Sequence, residues 1–127
     1  AVMEACAQPA PGRESTWISP ALIEAYLELH ELGFAHSVET WLAGSMVGGL
    51  YGVSVRGLFA GESMFSQQTD SSKIALVYLV KRLRQRGFYL LDIQFMTEHL
   101  RQFGAIEIPR ELYKQRLAQA LTITTEF

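Results

Sequence analysis

The chain has 127 residues, 49% of them hydrophobic, 11% aromatic and 19% charged, with a formal net charge of −2. That length suits a single domain, the apolar share excludes extended disorder, and no stretch approaches the ~20 uninterrupted apolar residues of a membrane span. The charge and a pI near 5.9 argue against a generally basic nucleic-acid binder, while one cysteine, Cys6, excludes an internal disulfide and fits a reducing compartment.

The chain opens on Ala1-Val2-Met3-Glu4-Ala5-Cys6-Ala7, a helix-forming run with neither a capping residue nor an initiator Met. It reads either as the tail of a helix begun upstream or as a trimmed terminus, and it lacks the basic-then-apolar start of a signal peptide. Gln8-Pro9-Ala10-Pro11-Gly12 breaks the run. Ser19-Pro20 then supplies a helix start, with Ser as cap and Pro in the first turn. Leu22, Tyr26 and Leu29, with Ile23 beside them, make one face apolar; Glu24, Glu28 and Glu31 take the wetter side, and Gly33 is the stop. From Ala35 the period becomes two: Val38, Thr40 and Leu42 alternate with Glu39 and Trp41. Ala43-Gly44 turns the chain into a second strand, Met46 to Val55, and Arg56-Gly57 into a third, Leu58 to about Gly61, so an antiparallel meander is expected. Gly48, Gly49 and Gly52 inside the second strand point to a bulge or a close backbone approach.

Residues 63–70 read as a polar loop carrying Met64 and Phe65. Asp70 or Ser71 caps a long helix, with Ile74, Val77 and Tyr78 on one side and Ala75, Leu79 and Leu83 extending the apolar surface. Lys81, Arg82, Arg84 and Arg86 fill its last turns, where cations suit the helix dipole, and Gly87 ends it. Phe88 to Gln94, apolar except for Asp92, has the pattern of a buried central strand. A short helix from about Glu98 to Phe103, an extended Ile106-Glu107-Ile108, a helix from Arg110 to Leu121 and a tail from Thr122 to Phe127 complete the order.

Charge is unevenly spread along this order. Residues 1–55 carry one base and six acids, whereas residues 56–127 carry ten bases and seven acids. Five of those bases fall between Lys73 and Arg86 with no acid among them, so an acidic and a basic face can share a near-neutral molecule. Asp92 stands out because an unpaired carboxylate in an apolar strand is expensive. Asp92 and Gln94, two apart, project from one strand face, and a carboxylate beside an amide can orient and deprotonate an amine or hydroxyl. The structural alternative is a buried aspartate satisfied by backbone N–H groups or an arginine. Glu62 ends the third strand, between Gly61 and the pair Met64 and Phe65, which can wall a pocket; it can bind an ammonium or a ribose hydroxyl, or be a solvated loop acid. Lys81, Arg82, Arg84 and Arg86 can meet phosphates or form a solvated helix end. Trp17 can stack on a base or staple its loop to the core. His36 and His99 lack metal-ligand spacing, and the chain has no nucleophile elbow, Walker loop or dinucleotide glycine fingerprint.

Several segments in order carry a resemblance: Trp17-Ile18-Ser19-Pro20, then His30-Glu31-Leu32-Gly33-Phe34-Ala35-His36-Ser37-Val38-Glu39, then Val47-Gly48-Gly49-Leu50-Tyr51-Gly52. Gly61-Glu62-Ser63-Met64-Phe65-Ser66, Ser72-Lys73, Leu91-Asp92-Ile93-Gln94 and Gly104-Ala105-Ile106-Glu107-Ile108-Pro109-Arg110 follow. From about Ala1 to Leu121 the chain resembles the leucyl/phenylalanyl-tRNA–protein transferase family. The resemblance implies an α/β (α+β) fold of the acetyltransferase-like, GNAT type, a mostly antiparallel sheet flanked by helices. It implies one catalytic domain over residues 1–127, without the family's smaller N-terminal domain and the aromatic residue which that domain adds to the adenosine pocket. The implied activity moves Leu or Phe from the 3′ end of aminoacyl-tRNA to the N-terminal Arg or Lys of a protein, marking it for degradation in the bacterial cytoplasm. The implied enzyme is a monomer with no membrane contact. An aminoacyl ester is already activated, so neither metal nor cofactor is expected; the enzyme positions ester and amine and manages a proton.

On this resemblance Asp92 and Gln94 are the catalytic pair. Glu62, with Gly61 and Ser63 beside it, meets the aminoacyl-adenosine end, and Trp17 stacks near the terminal adenine. Leu50, Leu76, Leu79, Leu83 and Leu91 wall the pocket for the transferred side chain. Lys81, Arg82, Arg84 and Arg86 contact tRNA phosphates without reading sequence. Ile93 stands where many members have Cys, and Gln102-Phe103 where many have Ser-Leu. The alternative is a catalytically incompetent GNAT-like fragment that only binds the tRNA end. A small-molecule N-acyltransferase using an acyl thioester is disfavoured, because no glycine-rich pyrophosphate-binding turn precedes a helix.

Overall fold

The computed structural model describes residues 1–7, 18–93, 98–102 and 104–127. A short helix, α1 (Val2–Cys6), comes first. Helix α2 (Pro20–Glu31) starts where Ser19 Oγ accepts the Leu22 N–H at 3.2 Å, and Pro20 opens its first turn. Gly33, at φ +89°, releases the chain into β1 (Ala35–Leu42). Ala43 and Gly44 have φ of 51° and 82°, the backbone of a tight hairpin turn, and β2 (Ser45–Val55) returns antiparallel to β1. Arg56 and Gly57 turn it into β3 (Leu58–Ser66), again antiparallel. Helix α3 (Ser71–Gln85) carries the chain over to β4 (Leu90–Ile93), which pairs parallel to β3. Helices α4 (Glu98–Gln102) and α5 (Arg110–Ala120) follow. The sheet order is β1-β2-β3-β4. This is an α/β arrangement, a mixed sheet flanked by helices, and it is compatible with an acetyltransferase-like fold.

Strand alternation divides the core between two faces. Leu50 and Phe59 pack with Ala75, Leu76, Leu79 and Leu83 of α3 and with Leu100. Tyr51 and Phe65, from the other face, pack with Val2, Met3 and Cys6 of α1 and with Ile18, and α2 adds Leu22, Ile23 and Tyr26. Gly48 allows α3 to begin close above β2: a Cβ there would lie 2.6 Å from Ser71 Cβ and 2.7 Å from the Ser71 carbonyl carbon. The buried Ser71 hydroxyl donates to Val47 O at 2.7 Å, and Thr40 Oγ1 donates to Ser71 O at 2.8 Å. Three elements are tied at that point.

The third strand is longer than its sequence suggests. Residues 63–66 belong to β3 rather than to a polar loop, because they pair with Gly48–Tyr51 of β2. Nor does Glu62 end the strand. Gly61 pairs with Gly52 and Ser63 with Tyr51, so Glu62 is the extra residue of a β-bulge. The strand around Asp92 is not central: among the described residues β4 lies at the sheet edge, and its residues are half-buried. On α3, Ile74, Val77 and Tyr78 are exposed while Ala75, Leu76, Leu79 and Leu83 are buried, so the helix lays one narrower stripe on the sheet than its composition suggests. Ile106-Glu107-Ile108 forms no strand. The last residues are not a free tail. The Phe127 ring stacks on His36 with centroids 4.4 Å apart, Arg82 lies 4.8 Å over that ring and donates through Nε to Phe127 O at 2.6 Å, and Thr125 Oγ1 donates to Arg86 O.

Candidate functional site

Leu91 and Ile93 of β4 pack into the α3 core, so Asp92 between them projects from the opposite face. There the Tyr113 hydroxyl, carried by α5, donates to Asp92 Oδ2 at 2.7 Å. That hydrogen bond first, then burial and the Asp92 charge, push the Tyr113 hydroxyl up to about 12. The partner of Asp92 is thus a neutral donor rather than an arginine or a set of backbone N–H groups. It orients one carboxylate oxygen, and Oδ1 keeps no hydrogen bond among the described residues.

Strands β3 and β4 pair from Leu58–Leu90 to Gly61–Ile93 and no further among the described residues. Glu62 stands next to the last of these pairs, Gly61–Ile93. Burial first, and the charge of Asp92 second, hold the Glu62 carboxyl above the usual carboxylate range, which places the two acids within electrostatic reach of each other. Tyr26 and Tyr51 join this neighbourhood: their rings meet edge to face with centroids 5.5 Å apart. Burial raises both hydroxyls, with Glu62 adding a smaller push to each. Tyr51 is 4% exposed and its hydroxyl has no hydrogen-bond partner among the described residues. Such a buried hydroxyl without a partner costs free energy.

On the α3 side of the sheet, Leu50, Gly61, Ser63, Met64, Leu76, Leu79, Leu91 and Ile93 enclose a cavity of about 20 Å³. Four of these, Leu50, Leu76, Leu79 and Leu91, are expected pocket residues, and Gly61 and Ser63 were expected at the aminoacyl-adenosine end; Leu83 lies in the α3 core and does not line the cavity. That volume suits about one water, so a leucyl or phenylalanyl side chain enters only if the wall moves, and the unbranched Met64 is its most adaptable member. A larger cleft of about 680 Å³ borders Asp92 and Tyr113 at the outer side of β4.

Lys81, Arg82, Arg84 and Arg86 are exposed at the C-terminal end of α3. They belong to the face opposite Asp92, and Arg82 is engaged with Phe127. Lys81 and Arg82 border a groove of about 480 Å³ with Ser37, Val38, Tyr78 and Gln85. The structure therefore gathers Glu62 and Asp92 on one face and leaves the basic run on the other. Trp17 and Gln94 lie outside the described residues. Among the described residues, no group of three or more His, Cys, Asp or Glu could hold a metal ion. Three tyrosines of the site, Tyr26, Tyr51 and Tyr113, were not apparent as such in the sequence; the one available signal was that Asp92 needed a partner.

A family model described as leucyl/phenylalanyl-tRNA protein transferase matches residues 1–118, which include both the Glu62 bulge and the Asp92 strand. The chain belongs to this family. It is 61% identical over 126 residues to the leucyl/phenylalanyl-tRNA–protein transferase of Phenylobacterium zucineum, covering 99% of this chain and 57% of that protein. It is 56% identical over 127 residues to the transferase of Maricaulis maris, covering all of this chain and 59% of the relative. For the transferase of Paramagnetospirillum magneticum the identity is 57% over 127 residues, covering 61% of the relative. The chain spans about three-fifths of the length of these curated relatives. Among the described residues, no helix is long and apolar enough to cross a membrane.

Proposed function

We propose that this chain carries the aminoacyl-transfer site of a leucyl/phenylalanyl-tRNA–protein transferase. The reaction moves Leu or Phe from the 3′ end of its tRNA to the α-amino group of a protein beginning with Arg or Lys, and so marks that protein for degradation in the cytoplasm. The observation that carries this reading is Asp92, held by Tyr113 beside the last described β3–β4 pairs and within electrostatic reach of Glu62.

The amine must be deprotonated before it attacks. Its nitrogen then bonds to the ester carbonyl carbon, and the tetrahedral intermediate collapses by breaking the bond to the ribose oxygen, which takes up a proton as it leaves. Asp92 supports this by orienting Gln94, two residues on in the sequence, toward the amine or the tetrahedral centre; the departing proton passes to Asp92 or through the neighbouring ribose hydroxyl. Glu62, held above the usual carboxylate range, meets a ribose hydroxyl or the aminoacyl ammonium. Trp17 stacks near the terminal adenine, and the exposed cations of α3 take tRNA phosphates. The apolar cavity selects the transferred side chain, at ~1–3 kcal/mol per methylene.

The test is transfer of labelled leucine from Leu-tRNA by the full-length protein to peptides that differ only in their first residue. The reading predicts labelling of Arg- and Lys-initiated peptides and little labelling of Glu-initiated ones. No labelling of any peptide would favour a chain that binds the tRNA end without turnover.

A further inference from the structure

We infer that the acceptor polypeptide docks as an added strand on the outer edge of β4, antiparallel to it, with its N-terminal amine at Asp92. This rests on the transfer reading above and specifies how the second substrate is held.

Among the described residues, strand β4 has one strand partner, β3. The Leu90 N–H donates to Gly57 O at 3.0 Å, and the Asp92 carbonyl lies on the Gly61 side, so both residues turn their main-chain groups inward. Alternation then directs the N–H and C=O of Leu91 and Ile93 outward. No main-chain hydrogen bond among the described residues takes them up. Open edges are usually blunted by charge, proline or a bulge; β4 carries one charge, Asp92, which the Tyr113 hydroxyl holds on one face of the sheet. This edge reads Leu-Leu-Asp-Ile and opens on the cleft of about 680 Å³, whose far wall is formed by residues 104–108 with Tyr113 and Arg116 of α5. That volume lies within the usual range for ligand sites.

Two features select the occupant. A row of outward N–H and C=O groups matches the main chain of an extended peptide. The carboxylate of Asp92, toward the C-terminal end of β4, matches a cationic amino terminus. With its amine there, the acceptor must run back toward Leu90, which sets the antiparallel direction. At ~3.3 Å per residue, the stretch of β4 from Asp92 back to Leu90 pairs with about three acceptor residues. Main-chain pairing holds the chain without reading side chains beyond the first.

The experiment uses full-length protein and Arg-initiated peptides N-methylated at one backbone amide at a time, from the second to the fifth residue. Each methyl group removes one donor. Methylation at alternate amides should raise KM about three- to tenfold, the loss of one hydrogen bond, with intervening amides close to the parent peptide and kcat little changed. Anisotropy of fluorescent versions of the same peptides, read without tRNA, should show the same alternation in Kd. A flat or uniformly weakened series, or no peptide binding, overturns the docking mode, including the case in which another segment of the longer protein or a second copy covers the edge. Alternating peptide affinity without transfer contradicts the transfer reading instead and leaves the docking mode standing.

Discussion

At the scale of single residues, the site turns on how Asp92 and Glu62 are held. Asp92 was legible in the sequence because a lone charge in Leu90-Leu91-Asp92-Ile93 demands an explanation. Its partner was not, since Tyr113 lies 21 positions away on a helix with weak periodicity, and only the fold brings its hydroxyl to Oδ2. Glu62 carries the clearer consequence for stability. Its carboxyl is raised by burial and by Asp92, so folding disfavours its ionised form. The contribution of Glu62 is therefore most favourable below the ordinary glutamate value of about 4.3 and is lost as pH rises through the raised value in the folded protein. Glu62→Gln should raise the melting temperature at pH 7.5, and the gain should shrink to nothing as the pH approaches about 4. Thermal denaturation across that pH range checks this; a variant less stable than wild type at pH 7.5 would mean that the ionised carboxylate is held by a favourable partner.

At the scale of elements, local signals located most segments and nonlocal pairing decided the rest. The Ser19-Pro20 start, the Ala43-Gly44 and Arg56-Gly57 turns and the Gly33 and Gly87 stops are short-range stereochemistry, and the structure follows them. The length of β3 was hidden because the bulge at Glu62 interrupts the period-two pattern. The edge position of β4 was hidden because an apolar run reads the same whether another strand or a cleft lies beside it. Two glycines separate packing from space. Gly48→Ala puts a Cβ 2.7 Å from the Ser71 carbonyl carbon and must displace the start of α3, whereas at Gly61 the nearest atom, Asp92 O, is 3.5 Å away. Urea denaturation should show Gly48→Ala losing ~1–3 kcal/mol and Gly61→Ala staying within ~0.5 kcal/mol of wild type. Equal losses would contradict this packing at the head of α3.

At the scale of the molecule, the charge asymmetry of the sequence becomes two faces. The side of α2 carries exposed Glu24, Glu28 and Glu31 and packs over the face that bears Tyr51, while the exposed Lys81, Arg82, Arg84 and Arg86 end the helix on the other face. On the proposed function, the acidic face favours a cationic acceptor terminus and the basic one favours phosphates. The charge counts implied such a division, but which helix covers which face depends on the alternation of β2, with Leu50 toward α3 and Tyr51 toward α1. The same alternation sends Asp92 away from the apolar cavity that its neighbours Leu91 and Ile93 help to line. The central claim is that this carboxylate, on the face opposite the basic run, drives transfer. It is tested most directly by Asp92→Asn in the full-length protein, assayed for transfer of labelled leucine from Leu-tRNA to an Arg-initiated peptide, with circular dichroism confirming the fold. The account predicts a fall of at least ~100-fold in kcat/KM, the scale of lost general-base assistance; transfer at the wild-type rate would contradict it.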